Sequence, residues 1–357
     1  VHRSLPEEEW LKSLIKTLNY YHQFCGDVTL KTIFFGGGTP SLMAAETASE
    51  IIEHICKLWQ ITPGNLEITL EANPNSVEVE KFQILRAAGI NRVSIGIQSF
   101  QEKNLKFLGR THSAQDGVKA IETALAHFDR VSFDLIYALP EQSVQEWQQE
   151  LNQAMAFDTK HLSLYQLTIE PNTAFHKQYH RGDFHLPSHQ HADQLYDMTA
   201  ENLAKKGMYP YEISNYAAQG HESRHNLLYW RYHQFMGVGP GAHGRMLLNG
   251  VPHALKQYLS PVKWATSVAH DAHPGCETQS VLSPLEMFEE RMMMNMRLLE
   301  PIDINNHERA FIDAHALGQF VDAGFMHNLE KTDSGMCFQM TSKGRLVAHS
   351  ILNKLLL

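Results

Sequence analysis

An α/β fold built on a parallel sheet is predicted by two observations. Strands and helices alternate through the first half of the 357-residue chain, and several strands carry one apolar and one polar face. Apolar or alternating runs at 29–35, 66–73, 91–98, 131–139 and 161–167 are separated by helical patterns near 44–59, 78–88, 101–127 and 143–156. A strand–helix unit of about 30–40 residues marks parallel strands joined by helical crossovers, in a sheet that is open or closed into a barrel. Strands covered by helices on both faces read as nearly continuous apolar runs. Here Leu66, Ile68, Leu70 and Ala72 oppose Glu67, Thr69, Glu71 and Asn73, and Val93, Ile95 and Ile97 oppose Arg92, Ser94, Gly96 and Gln98. A curved or barrel-like sheet with helices outside and a polar, ligand-lined interior accounts for this parity. An ordinary sheet with one solvated face is the alternative.

The elements follow in order. The run 29–35 leads into Phe34-Phe35-Gly36-Gly37-Gly38-Thr39-Pro40-Ser41, where glycines permit positive φ and let a ligand lie against the main chain. Thr39 is a candidate N-cap with Pro40 at the first helical position, and free backbone groups in such a turn suit the charged ends of an amino-acid-like ligand. Ser143 and Glu146 form a capping box that opens the helix at 143–156. Beyond about residue 275 the pattern changes: Ser283-Pro284-x-Glu286 starts a helix carrying Leu285, Phe288, Met292, Met296 and Leu299 at spacings of three and four. A helix near 307–323, a polar turn at Asp333-Ser334-Gly335 and a last helix after Thr341 follow, an order that resembles a small winged-helix domain.

Composition bounds the partners. The formal net charge is −9, so no basic surface suits a nucleic-acid backbone or an anionic membrane. Residues 276–357 hold 11 acidic and 7 basic side chains, which favours packing or partner docking over DNA binding. No apolar stretch approaches the roughly 18–20 residues of a membrane helix. Cys25, Cys56, Cys276 and Cys337 lie far apart and read as reduced thiols of a cytoplasmic protein.

Candidate functional residues gather where βα loops build active sites, at the C-terminal ends of strands: Gly36 to Thr39, Glu71 with Asn73, and Gln98. Asp134 stands in an otherwise apolar strand, where an isolated carboxylate is costly without a ligand or an ion-pair partner. Arg110 is suited to holding a ligand carboxylate bidentately or to a solvated loop. Among 22 histidines, His176, His180, His185, His189 and His191 crowd a segment with Gly182 and Pro187, and their irregular spacing reads as a solvated loop rather than a metal site. His225, with Asn226, Tyr229 and Trp230, has the residue type of a heme axial ligand; a structural histidine is the other reading. The Met292-Met293-Met294 run reads as core filling.

Taken together, Gly36-Gly37-Gly38-Thr39-Pro40-Ser41, Glu71-Ala72-Asn73-Pro74, Arg92-x-Ser94-x-Gly96-x-Gln98-Ser99, Leu108-Gly109-Arg110 and Asp134-Leu135-Ile136-Tyr137-x-Leu139-Pro140 resemble the radical S-adenosylmethionine proteins of the oxygen-independent coproporphyrinogen III oxidase family. Tyr211-Glu212-Ile213-Ser214-Asn215-Tyr216-Ala217, His225-Asn226-Leu227-Leu228-Tyr229-Trp230 and Gly237-Val238-Gly239-Pro240-Gly241-Ala242-His243 are similar to its heme-chaperone (HemW) branch. The resemblance runs over nearly the whole chain. It implies a partial parallel (β/α)6 barrel over 1–245, a connector over 246–275 and a winged-helix-like C-terminal domain over 276–357. It also implies that Gly37, Gly38, Thr39, Glu71, Gln98, Arg110 and Asp134 bind S-adenosylmethionine. His225 becomes a candidate for heme. The implied function is a heme chaperone that delivers heme to a respiratory protein. A coproporphyrinogen III dehydrogenase and a cluster-free binding protein are the alternatives.

One departure stands out. The family holds a 4Fe–4S cluster through Cys-x3-Cys-x2-Cys shortly before the glycine turn, and this sequence has no such spacing: Cys25 and Cys56, its closest pair, are 31 residues apart. Val1 falls almost where the family's cysteine loop ends. The expectation is a chain that lacks the first barrel strand and the cluster loop, with a natural cluster-free relative as the other possibility. The cluster is expected only in an intact protein, and no metal ligands are assigned in this chain.

Overall fold

The computed structural model describes residues 6–38, 40–75, 79–329 and 335–357. Two compact units emerge: one comprises 1–31, 49–66 and 224–357, the other 32–48 and 67–223. The first unit begins with α1 (Glu7–His22).

The second unit is the α/β layer. Its order begins β1 (Thr32–Phe35), α2 (Ala45–Leu58, which runs on into the first unit), β2 (Glu67–Ala72), α3 (Phe82–Ala87), β3 (Arg92–Gln98), α4 (Glu102–Phe107), α5 (Ala114–His127) and β4 (Arg130–Tyr137). It continues with α6 (Val144–Ala154), β5 (His161–Gln166), α7 (Ala174–Arg181), α8 (His189–Ala204), β6 (Met208–Pro210) and β7 (Asn215–Ala218). The seven strands form one sheet in the order β1-β2-β3-β4-β5-β7-β6. Neighbours from β1 to β5 are all parallel, as the spacing predicts. β7 then pairs antiparallel with β5, and β6 antiparallel with β7. The short link between β6 and β7 permits a hairpin but no parallel crossover.

Side-chain parity survives folding. Val93, Ile95, Ile97, Phe133 and Leu135 are fully buried, while Ser94, Gly96, Asp134 and Ile136 on the opposite face keep some exposure. On the helix-covered side Trp147 of α6 stacks on Tyr137 with centroids 4.8 Å apart, and its indole N–H donates to Thr199 Oγ1 of α8 at 2.8 Å. Burying such large rings contributes on the order of 2–3 kcal/mol each. The polar face is only partly accessible: Glu71 is exposed, whereas Arg92, Gln98 and Ser132 on it are buried.

Two sequence expectations need correction. The helical pattern at 101–127 is two helices: Gly109, at φ +67°, ends α4, and Ser113 with Asp116 forms a capping box that starts α5. The histidine-rich segment is not a loop throughout. Thr173 caps α7, which carries His176 and His180; Gly182 at φ +78° stops it, and Ser188 caps α8, which carries His189 and His191. Hydroxyl caps and a left-handed glycine set the ends of these helices, and Phe175 and Tyr179, four apart, give α7 one apolar side.

In the first unit the order after Ser223 is α9 (Arg224–Trp230), β8 (His243–Leu248), β9 (Val251–Gln257), α10 (Pro261–His270), β10 (Cys276–Val281), α11 (Pro284–Asn295), β11 (Pro301–Asn305) and α12 (Ala314–Asp322). β12 (Met326–Leu329), β13 (Gly335–Met340), α13 (Ser342–Leu346) and α14 (Ala348–Leu355) complete it. Two antiparallel sheets result, ordered β10-β9-β8 and β11-β13-β12. The stretch 246–275 thus holds β9 and α10, and Trp264 of α10 meets Trp10 of α1 with centroids 5.5 Å apart. The pattern near 307–323 becomes a 3-10 turn at Glu308–Phe311 followed by α12, which Asp313 caps through the His315 and Ala316 N–H groups. Met292 and Met296 are buried with Phe288, Ile302, Ile304 and Phe338, as the core reading requires, whereas Met293 is 46% exposed. Among the described residues no helix is long and apolar enough to cross a membrane.

Candidate functional site

β1 ends at Phe35 and releases the chain into the glycine turn. Gly37 and Gly38 have φ of +77° and +69°, with open space where a Cβ would stand. A Cβ on Gly36 would lie 2.5 Å from the Phe34 ring and 3.2 Å from Glu71 Oε2, so a side chain here would displace the Phe34 ring. The Gly37 N–H donates to Glu71 Oε2 at 3.1 Å. That bond ties the turn to β2. Thr39 lies outside the described residues. Pro40–Leu42 forms a 3-10 turn, and α2 starts only at Ala45.

From Glu71 the polar face runs across the sheet. Glu71 pairs in register with Ser94, Ser94 with Ser132, Asp134 with Ser163, and Ser163 with Asn215. A directed hydrogen-bond chain links several of them. The buried Arg92 Nη2 donates to Ser132 Oγ at 3.0 Å, Ser132 Oγ to Ser94 Oγ at 2.9 Å, and Ser94 Oγ to Asp134 Oδ1 at 3.4 Å. A guanidinium at one end and a carboxylate at the other fix the direction of both hydroxyls.

Asp134 is half-buried, and its carboxyl is pushed up to about 6. Burial is the largest cause and the nearby negative charge of Glu71 adds to it; hydrogen bonds from Ser163 and Ser94 and the charge of Arg92 pull the other way. Tyr165, on the same face of β5 as Ser163, has its phenol raised by burial and by the charge of Asp134. Glu212, fully buried, accepts from the Ser214 N–H at 2.6 Å, the Asn215 N–H at 2.6 Å and Asn215 Nδ2 at 2.7 Å, which locks the turn before β7.

Gln98 ends β3 at φ +72°, a left-handed conformation uncommon for a residue with a side chain. Its amide folds back so that Nε2 is 3.0 Å from where a Gly96 Cβ would be, on the face of Ser94. The next residues are fastened from behind by Glu150 of α6, whose Oε1 accepts from Ser99 Oγ and from the Phe100 N–H at 2.5 Å. Arg110 stands exposed just after α4, with its backbone N–H on the Leu105 carbonyl at 2.9 Å.

The structure therefore brings Gly37 and Glu71 into direct contact, sets Asp134 within electrostatic reach of Glu71, and turns Gln98 onto the same face. Arg110 is on a separate loop. Arg92, Ser132, Ser163, Tyr165, Glu212 and Asn215 were not singled out from the sequence. Parity places Arg92 and Ser94 on the polar face.

His225 belongs to the first unit. It is half-buried on the seven-residue α9, its ring 5.0 Å from that of Tyr229, which stacks on Phe235 at 4.2 Å. The helix is anchored at its end: Asn295 Nδ2 donates to the Trp230 carbonyl at 2.6 Å, and Arg297 sits 4.4 Å over the Trp230 ring.

The cysteines do not fit a three-thiolate cluster. All four lie in the first unit; Cys25, Cys56 and Cys337 are buried and Cys276 is half-buried. Burial pushes each thiol up, away from the thiolate that iron requires. Among the described residues no three His, Cys, Asp or Glu side chains are grouped to hold a metal ion.

A parallel sheet with a glycine turn after β1 and one polar face defines a class, and comparison with known proteins gives it a name. The family profile described as the Radical SAM superfamily matches residues 9–154. The heme chaperone HemW of Bacillus subtilis is 30% identical over 362 residues, covering 99% of this chain and 93% of the relative. That of Haemophilus influenzae is 32% identical over 98% of this chain and 90% of its own length. The solved coproporphyrinogen III oxidase HemN of Escherichia coli, described as a radical SAM enzyme, shares the fold at a TM-score of 0.77 and 18% identity, covering 97% of this chain and 82% of that one. The chain belongs to the HemN/HemW family of radical S-adenosylmethionine proteins.

Proposed function

We propose that this chain is a HemW-type heme chaperone, which binds S-adenosylmethionine on the polar face of the second unit and heme through His225, and passes the heme to a respiratory protein. The observation that carries this reading is the likeness to proteins named heme chaperone HemW along 98–99% of the chain. S-adenosylmethionine brings a sulfonium cation with an amine and a carboxylate, and supplies one-electron chemistry only beside a reduced cluster. The residues here do the holding. Gly37 and Gly38 present bare backbone to the methionyl end, and Glu71 keeps the turn in place. Gln98 and Asp134 offer polar groups to the remainder, and Arg110 is assigned to a ligand carboxylate.

Asp134 gives this pocket a pH signature. A carboxyl titrating near 6 keeps a proton in the folded state that the unfolded chain releases near 4. Its contribution to stability is full below about pH 4 and is lost as pH climbs through 6. A cation bound beside it favours the ionised form. Affinity for S-adenosylmethionine should therefore rise between about pH 5 and 7, and the rise should vanish in Asp134→Asn. Equilibrium dialysis across that range checks this; parallel pH profiles for the two proteins would remove Asp134 from the pocket.

Heme binding is tested separately. His225→Ala should remove the axial imidazole, shift the Soret band and weaken heme binding by at least about tenfold, while circular dichroism stays unchanged. An identical titration and spectrum in the variant would leave His225 structural.

A further inference from the structure

We propose that His176 and His180 form a bidentate site for a divalent transition-metal ion on α7. Their Nε2 atoms face each other 3.1 Å apart, one helical turn from each other, with ring centroids 4.3 Å apart. Two nitrogens at that separation, each about 2.0–2.1 Å from one ion, subtend an angle of about 100°, between square and tetrahedral values. Without metal, one imidazole donates its Nε2 proton to the other. Binding replaces that shared proton by the ion, and the proton moves to Nδ1 or to solvent.

The pair is held ready. Thr173 caps α7 through the His176 N–H, and Gly182 closes it. Phe175 and Phe184 both pack on Phe107 with centroids 5.2 Å away, and Tyr179 lies 5.9 Å from Phe184, which pins one side of the helix. Asp183 is engaged by Arg181 at 2.6 Å, so no carboxylate is assigned to the ion. His180 is exposed and His176 half-buried, which leaves the remaining coordination positions to water. Two imidazoles with open water positions suit Cu2+, Ni2+ or Zn2+ rather than Mg2+ or Ca2+. This site is independent of the heme and S-adenosylmethionine reading.

Cu2+ alone is the probe, added below stoichiometry while the histidine ring Cε1–H signals are followed by NMR. The His176 and His180 signals should broaden first, and His180→Gln should weaken Cu2+ binding by at least about tenfold because the chelate becomes a single ligand. His307→Gln, at an exposed position outside α7, should leave the affinity unchanged. Both variants are surface changes whose folding circular dichroism can verify. First broadening at other histidines, or equal affinity in His180→Gln, would overturn the proposal.

Discussion

Anaerobic reconstitution of the 357-residue chain with iron and sulfide should leave it without the brown absorbance of a 4Fe–4S cluster, and S-adenosylmethionine should pass through it uncleaved under reducing conditions. The expectation rests on thiolate supply. Cys25, Cys56, Cys276 and Cys337 have no Cys-x3-Cys-x2-Cys spacing, and burial holds all four as neutral thiols. Cluster assembly needs thiolates converging on one centre, and none of these cysteines lies in the unit that carries the glycine turn. A variant that carries three added cysteines at the family spacing before the glycine turn should gain both colour and cleavage. Stoichiometric iron and sulfide in the 357-residue chain itself would show that these thiols converge after all.

Glu212→Ala should strongly destabilise the second unit, at about 1–3 kcal/mol for each buried donor left unpaired. The carboxylate is fully buried, and one oxygen gathers two backbone N–H groups and the Asn215 amide. Alanine would leave the half-buried Ser214 N–H and the two buried Asn215 donors without this acceptor. The loss should spread to β5, because Asn215 pairs in register with Ser163. Hydrogen exchange at the β5 and β7 amides is the suitable readout, since a chain of two units need not unfold in one step. Glu212→Gln, which keeps an acceptor oxygen, should recover much of the protection. Equal protection in the alanine variant and the parent would mean that the turn holds without the clasp.

The parallel half of the sheet was legible because its strands obey two periods at once, alternation within each strand and helices between them. Ser94 and Gly96 fall on the polar face by parity and keep partial exposure in the structure. The β6–β7 hairpin was not legible: three and four residues, one of them Pro210, are too short for a periodic signal. The break between α4 and α5 was written in Gly109 and in the Ser113–Asp116 box, but helical periodicity on both sides hid it. α7 escaped because its start lies in a side-chain cap and its stop in a glycine conformation, neither of which hydrophobic patterning records.

Within the site, strand position gave Glu71 and Gln98, and an isolated carboxylate gave Asp134. What single residues could not reveal is how they are joined. The Arg92–Ser132–Ser94–Asp134 chain exists only once three strands are in register, and Glu212 reads as an ordinary surface acid until its turn closes.

Amide NMR of the 357-residue chain titrated with S-adenosylmethionine tests the assignment of the polar face most directly. The signals of Gly36, Gly37, Gly38 and Gln98 should move together along one saturable curve, and should stay still when Glu71→Ala frees the turn from β2. Shifts confined to residues outside β1 to β4 and their following loops, or shifts that persist unchanged in Glu71→Ala, would contradict a cofactor pocket at the glycine turn.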